Sequence, residues 1–229
     1  NIVKERHEAE RVWAEQNPEL AAQLYDFIEG RLPEINFAEI AHKPGSATRT
    51  ASANVLSVLG EKVKNMIVSS ADLANSDKTE AFLKKTGALA KGDFSGGFLH
   101  AGVAELTMAS IMNGIILHGG MMAACGTFFV FSDYMKPAIR MAALMKLPVK
   151  YVFSHDAFRV GEDGPTHEPI EQEAQIRLLE EIRNEDGKPS VLVLRPADSA
   201  ETTIAWEMAL EHKETPTALI LTRQDVSDI

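Results

Sequence analysis

The stretch Phe98–Gly120, FLHAGVAELTMASIMNGIILHGG, decides how the rest of the chain is read. It predicts a glycine-marked turn followed by a helix of about five turns. Val103, Leu106, Met108, Ile111, Ile115, Ile116 and Leu117 spread over most of that helix, so it is expected to be buried on all sides. One carboxylate, Glu105, falls in the first turn among these apolar neighbours. An acidic side chain there can simply complement the positive end of the helix. A buried glutamate is otherwise rare unless it is paired or used, and a working proton donor is the second reading.

Outward from this helix the chain alternates. Downstream, the apolar run MAACGTFFVF (122–131) leads into a helix SDYMKPAIRMAALMK (132–146) and a strand VKYVFSHD (149–156). A polar loop AFRVGEDGPTHEP (157–169) precedes a helix IEQEAQIRLLEEIRN (170–184), a strand SVLVLRPAD (190–198), a helix SAETTIAWEMALEH (199–212) and a strand TALILTR (217–223). Upstream, ATRTASANVLSVLGEKVK (47–64) reads as a helix and NMIVSSADL (65–73) as a strand, with a polar excursion from Asn75 to Asp93. Strand, loop and helix repeated this often predict an α/β fold, a parallel sheet with helices on both faces. The strands are continuous apolar runs, as expected when both faces are covered. Ligands in such sheets collect at the carboxyl ends of strands, which directs attention to Ser69–Asp72, His155–His167 and Arg195–Asp198.

Residues 1–45 read differently. They form a charged helical region divided at Asn17-Pro18, a proline suited to a first helical turn, followed by a linker punctuated by Pro33 and Lys43-Pro44-Gly45. The expected division is a helical tail and linker over 1–45 and a compact domain over 46–229. The chain opens on Asn1 and stops at Ile229 just after a strand, which reads as a piece of a longer polypeptide.

Composition excludes several classes. A net charge of −10 argues against a nucleic-acid partner, which would need clustered Lys and Arg. No apolar run reaches the ~18 residues of a membrane span. The single cysteine, Cys125, rules out an internal disulfide and a cysteine-built zinc site, and fits a cytoplasmic location.

The loop His155–His167 holds two histidines and Asp156, Glu162 and Asp163, with Glu168 just beyond. It admits a metal reading, a plain surface loop, or a loop whose glycines let backbone approach a ligand. Phe128, Phe131 and Tyr134 recur every three residues, which lines one helical stripe. Core packing and a clamp on a flat ligand are both open on that spacing.

Taken together, SADL, GVAELTMASIMNGIILHGG, TFFVFSDY, SHDAFRVGEDGPTHEPIEQ, RPAD and PTALILTRQ resemble transketolase, specifically its pyrimidine-binding module, in the family's order and spacing. The resemblance covers about residues 46–229, and its most specific part is the GEDGPTH loop followed by P-x-E-Q. Residues 1–45 resemble the end of the preceding diphosphate-binding module. The implied activity is transfer of a two-carbon ketol unit from a ketose phosphate to an aldose phosphate, with thiamine diphosphate and a divalent cation (Mg or Ca). Homodimerisation is implied as well.

The resemblance implies roles residue by residue. Glu105 bonds a ring nitrogen of the aminopyrimidine and drives the ring to its imino form, whose nitrogen takes the thiazolium proton. Phe128, Phe131 and Tyr134 surround the pyrimidine ring, and Asp72 lies at the subunit contact near the cofactor. His167 stands near the reaction centre as a second catalytic residue. His155 and Asp163 contact the sugar, while Arg49, Ser76 and Arg195 grip its phosphate by charge-assisted bonds.

Departures from the family pattern are Ala104 before the glutamate, Ala74-Asn75-Ser76-Asp77, Phe158-Arg159, and extra residues near Asn184 to Lys188. They bear on substrate preference and on the placement of Ser76. No Gly-Asp-Gly motif with a downstream asparagine, the family's metal and diphosphate site, occurs here. The expectation is half a site, with little or no turnover from this chain alone and self-association through the exposed half. A related thiamine-dependent synthase of the deoxyxylulose-phosphate or dihydroxyacetone type, and a noncatalytic assembly paralogue, are the rival readings.

Overall fold

A computed structural model describes residues 1–229. Helices α1 (Ile2–Gln16) and α2 (Pro18–Ile28) come first, with Pro18 at the first helical position of α2. Neither contains a buried residue. The passage that reads as a linker is not free: Leu32, Ile35, Phe37 and Ile40 pack against the apolar core.

The domain beyond is a three-layer sandwich. Its elements are α3 (Thr48–Lys62), β1 (Met66–Ser70), α4 (Ala74–Asp77), α5 (Glu80–Thr86), β2 (Phe98–His100) and α6 (Glu105–His118). They continue with β3 (Met122–Phe128), α7 (Ser132–Leu144), β4 (Lys150–Ser154), α8 (Gln172–Glu181), β5 (Leu192–Leu194), α9 (Ser199–Glu211) and β6 (Thr217–Ile220). The six strands form one sheet in the order β2-β1-β3-β4-β6-β5, every pair parallel.

Alternation along each strand divides the core in two. Cys125, Tyr151, Phe153 and Ile220 point to the face covered by α6, α7 and α8, where they meet Met108, Met112, Met135, Ile139 and Ile176. Ala124, Val152 and Leu219 point to the opposite face, onto Val55, Leu56, Leu59, Phe82 and Trp206 of α3, α5 and α9. Burial on both sides explains the apolar centres of the strands, with the polar residues Ser69, Ser70, Thr127, Lys150, Ser154 and Thr217 gathered toward strand ends.

Three expectations need correction. Phe98–His100 is not part of a turn but a short edge strand, β2, so the helix that follows is about four turns rather than five. That helix is apolar all round yet buried on one side only: Glu105, Met108, Ala109, Met112 and Asn113 face inward, whereas Leu106, Ile111 and Leu117 are exposed. A helical period distributes apolar residues; it does not say how many neighbours the fold supplies. The polar excursion 75–93 also contains helical turns, α4 and α5, the second buried through Phe82.

Gly126 on β3 marks a close approach of sheet and turn. A Cβ built there would stand 2.7 Å from Asp77 Oδ2 and 2.9 Å from Thr79 Cγ2. Gly126→Ala is therefore expected to destabilise the domain by about 1–3 kcal/mol, through displacement of the turn after β1. Urea unfolding against wild type measures it; an unchanged midpoint would mean that turn yields freely.

Candidate functional site

Because all strands run the same way, the loops after β1, β3, β4 and β6 meet at one end of four adjacent strands. The loop after β1 turns at Asp72, an exposed residue with φ of 63°. It faces the start of α6 across a cleft of about 430 Å³, lined by Ala71, Asp72, Leu73, Val103, Glu105, Phe131 and Tyr134. Glu105, only 8 % exposed, is the first residue of α6 and one of the residues lining this cleft.

The aromatic residues do not form one helical stripe. Phe128 ends β3, Phe131 lies in a single 3₁₀ turn and Tyr134 in the first turns of α7. Their rings still form a continuous wall: Phe128 stacks on Phe131 at 6.0 Å and Phe131 on Tyr134 at 6.1 Å between centroids. His167 meets this wall edge-on, 5.4 Å from Phe131 and 6.0 Å from Phe128. His155 lies flat on Phe128 at 3.6 Å.

A second cluster, around His155, is cationic. Arg49, in the first turn of α3, donates from Nη1 to the Ser76 carbonyl at 2.7 Å and approaches His155 Nε2 at 3.4 Å. A guanidinium can only donate, so Nε2 accepts and the ring proton sits on Nδ1, facing Ser154 Oγ at 2.9 Å. Burial, then the charges of Arg49, Arg223 and His167, push the His155 pKa down to about 3. Burial followed by the like charge of Arg223 also lowers the pKa of Arg49, whose Nε is buried without a partner. Arg223, just past β6, forms an ion pair with Asp163 at 3.1 Å and another with Glu162.

Arg195 is held elsewhere. It follows β5, an edge strand, and spends its guanidinium on buried Asp156 at 2.8 Å and on Glu173 at 3.4 Å. Asp156 in turn accepts from the Phe158 backbone N–H at 3.1 Å, so Arg195 braces the base of the site loop. Ser76 meets Arg49 through its carbonyl, not its hydroxyl. The cation that reading the sequence missed is Arg223. Its signal was the TRQ that closes the last apolar strand, a position at a strand's carboxyl end like the others.

The departures sort by position. Phe158 and Arg159 sit on the site loop, with the Arg159 guanidinium 5.1 Å from the Phe158 ring centre. The extra residues near Asn184–Lys188 form a turn before β5, with the Asn184 side chain accepting from the Asp186 and Lys188 backbone N–H groups at 3.0 Å. They lie at the opposite end of that strand from Arg195. No group of three or more His, Cys, Asp or Glu side chains is arranged to hold a metal ion.

The family described as "Transketolase, pyrimidine binding domain" matches residues 45–228. The chain belongs to the transketolase family. It is similar to a transketolase of Geobacillus stearothermophilus, 47 % identical over 227 residues that cover 95 % of this chain and 32 % of that protein. Among solved structures, transketolase from Leishmania mexicana matches with a TM-score of 0.88 at 34 % identity, over 98 % of this chain and 32 % of that one. A transketolase of Pichia stipitis in complex with sedoheptulose 7-phosphate matches with a TM-score of 0.87 at 36 % identity, over 100 % of this chain and 34 % of its own. The chain thus spans about a third of the length of the transketolases it matches. No helix is long and apolar enough to cross a membrane.

The neutral state of His155 has a consequence for stability. An unfolded histidine titrates near 6.5 and the folded one near 3, so the unfolded state binds the extra proton between those values. The His155 contribution is fully present above about 6.5 and is lost as pH falls toward 3. Asp77, raised to about 6 by burial, works in the opposite direction between 3.8 and 6, but equally in a His155 variant. The stability advantage of wild type over His155→Gln, from urea unfolding, is therefore expected to grow as pH rises from about 4 to 6.5. A pH-independent difference would place a protonated imidazole in the fold.

Proposed function

We propose that this chain supplies the pyrimidine-binding half of a transketolase active site, for transfer of a two-carbon ketol unit between sugar phosphates. The observation that carries this reading is the cleft in which Glu105, Asp72, Phe131 and Tyr134 stand together. The residues present suit thiamine diphosphate: a buried carboxylate beside a wall of rings matches a flat heterocycle with ring nitrogens. When bound, that cofactor supplies the electron sink that lets a ketose carbon–carbon bond break.

What the chain's own residues do follows from their chemistry. Glu105 would hold a proton against a pyrimidine ring nitrogen from its place at the start of α6. Phe128, Phe131 and Tyr134 hold the ring's plane, and Asp72 faces it from the turn after β1. His167, at the edge of the aromatic wall, reaches the reacting atoms, and His155 and Asp163 orient the sugar hydroxyls. Arg49, fixed by the Ser76 carbonyl, holds the substrate phosphate, and Arg195 and Arg223, each paired with two carboxylates, lend positive charge to that side of the site, Arg195 while bracing Asp156. The divalent cation (Mg or Ca) and the cofactor's diphosphate would be held by a diphosphate-binding module outside this chain.

A second copy is the proposed partner. Leu106, Ile111 and Leu117 on α6 and Met141 and Leu144 on the neighbouring α7 are exposed, apolar side chains that a second copy would cover. The lone, buried thiol of Cys125 fits a cytoplasmic setting.

Ketol transfer from xylulose 5-phosphate to ribose 5-phosphate tests the reading. It is run with the chain alone and with the diphosphate-binding module that completes the site. Expected is no turnover alone and thiamine-diphosphate-dependent turnover when completed. A completed assembly that binds no cofactor would sink it and favour the noncatalytic assembly reading.

A further inference from the structure

Asp77 is the last residue of α4 and is completely buried, yet no role above uses it. Its carboxylate accepts from Ser70 Oγ at 2.6 Å, from the Thr79 backbone N–H at 2.9 Å and from Thr79 Oγ1 at 2.7 Å. Ser70 Oγ also accepts from the Leu73 N–H at 3.1 Å, so this one carboxylate ties the end of β1 to both ends of α4. Gly126 leaves room for it on β3. The adjoining residue, Ser76, offers the carbonyl that takes Arg49 Nη1 at 2.7 Å.

We propose that Asp77 is a positioning residue for the anion-binding side of the cleft, setting the Ser76 carbonyl that aims Arg49 and tempering the charge of that arginine. This rests on the reading of Arg49 as a phosphate-holding group. The geometric part follows from the three donors: without the carboxylate, Thr79 N–H, Thr79 Oγ1 and Ser70 Oγ lose their acceptor and the turn no longer has one arrangement. The electrostatic part follows from burial, because a charge out of water is poorly screened and reaches the bound anion through Arg49. Arg49 on α3 and the Cys125 thiol on β3 are the titratable groups coupled to it. Burial raises Asp77 to about 6, while its hydrogen bonds from Ser70 and Thr79 and the Arg49 charge lower it. The negative charge is therefore present at pH 8 and largely neutralised at pH 5.

An amide preserves the geometry and removes the charge. Asp77→Asn keeps one oxygen for Thr79 and turns its amide toward Ser70 Oγ, which can accept. Asp77→Ala removes both functions. The probe is inorganic sulfate, a dianion at both pH values, titrated by calorimetry into wild type, Asp77→Asn, Asp77→Ala and Arg49→Ala. At pH 8 the Asn variant is expected to bind sulfate on the order of threefold more tightly than wild type, with the difference vanishing at pH 5. The Ala variant is expected to bind about tenfold more weakly at both. If Arg49→Ala loses binding while Asp77→Asn equals wild type at both pH values, the inference on Asp77 is overturned and the anion site stands. If wild type and Arg49→Ala do not differ, the anion reading itself fails and takes this inference with it. The Asn variant carries the test even if Asp77→Ala does not fold.

Discussion

Glu105→Gln in the completed assembly is expected to lower ketol transfer by roughly 10²–10⁴-fold, the range for removing a positioned acid or base. The side chain keeps its length and its place at the start of α6, so the cleft lined by Ala71, Leu73, Phe131 and Tyr134 is retained. What is lost is a group able to share a proton: an amide can hydrogen-bond the pyrimidine nitrogen but cannot exchange a proton with it. The effect should therefore fall on kcat, with the KM for the sugar phosphates changed little, since Arg49, Arg223 and Asp163 lie in the other cluster. Steady-state kinetics on the two proteins at equal cofactor occupancy measure this split. A variant within threefold of wild type would return Glu105 to its simpler reading, an acid complementing the positive end of a helix.

The largest expected loss of stability is at Trp206. It is fully buried in α9, in the same apolar cluster as Val55, Leu56 and Leu59 of α3, and its Nε1 donates to Ser52 Oγ at 2.9 Å. Trp206→Ala opens a cavity in that layer and should cost about 3–5 kcal/mol. That is a large part of the ~5–15 kcal/mol by which a domain is ordinarily stable. Trp206→Phe keeps most of the apolar contact but loses the bond to Ser52 and part of the ring's volume, so a smaller cost of about 1–3 kcal/mol is expected. Guanidinium unfolding followed by circular dichroism ranks the three proteins. An alanine variant within 1 kcal/mol of wild type would mean that α9 does not seat this ring against α3.

Much of this molecule is legible in its sequence because the signals are local. The continuous apolar runs that become β1, β3, β4, β5 and β6, each followed by a polar loop, report burial on both faces of a parallel sheet. Glu105 stands out because a charge among apolar residues is costly wherever they pack. The elements missed were those whose formation depends on partners elsewhere. β2 is three residues long and exists because Val68, Ser69 and Ser70 offer it an edge. α4 and α5 sit in a polar passage whose helical turns are tied down by Asp77 and by the burial of Phe82.

The sequence by itself determined the class of fold and the family, and it singled out Glu105, Phe131 and Tyr134, which line one cleft in the structure. Only the tertiary structure decided how Arg195 and Arg223 are paired and how much of α6 is covered. Strand order in a parallel sheet follows the crossovers, not the chain, so β6 lies beside β4 and β5 lies outside it. Arg223 thereby meets Asp163, while Arg195, a motif residue in the sequence, pairs with Asp156 instead. The apolar side of α6 is left open for the same reason: hydrophobic periodicity measures what a helix can bury, and the supply of neighbours is settled by packing at long range.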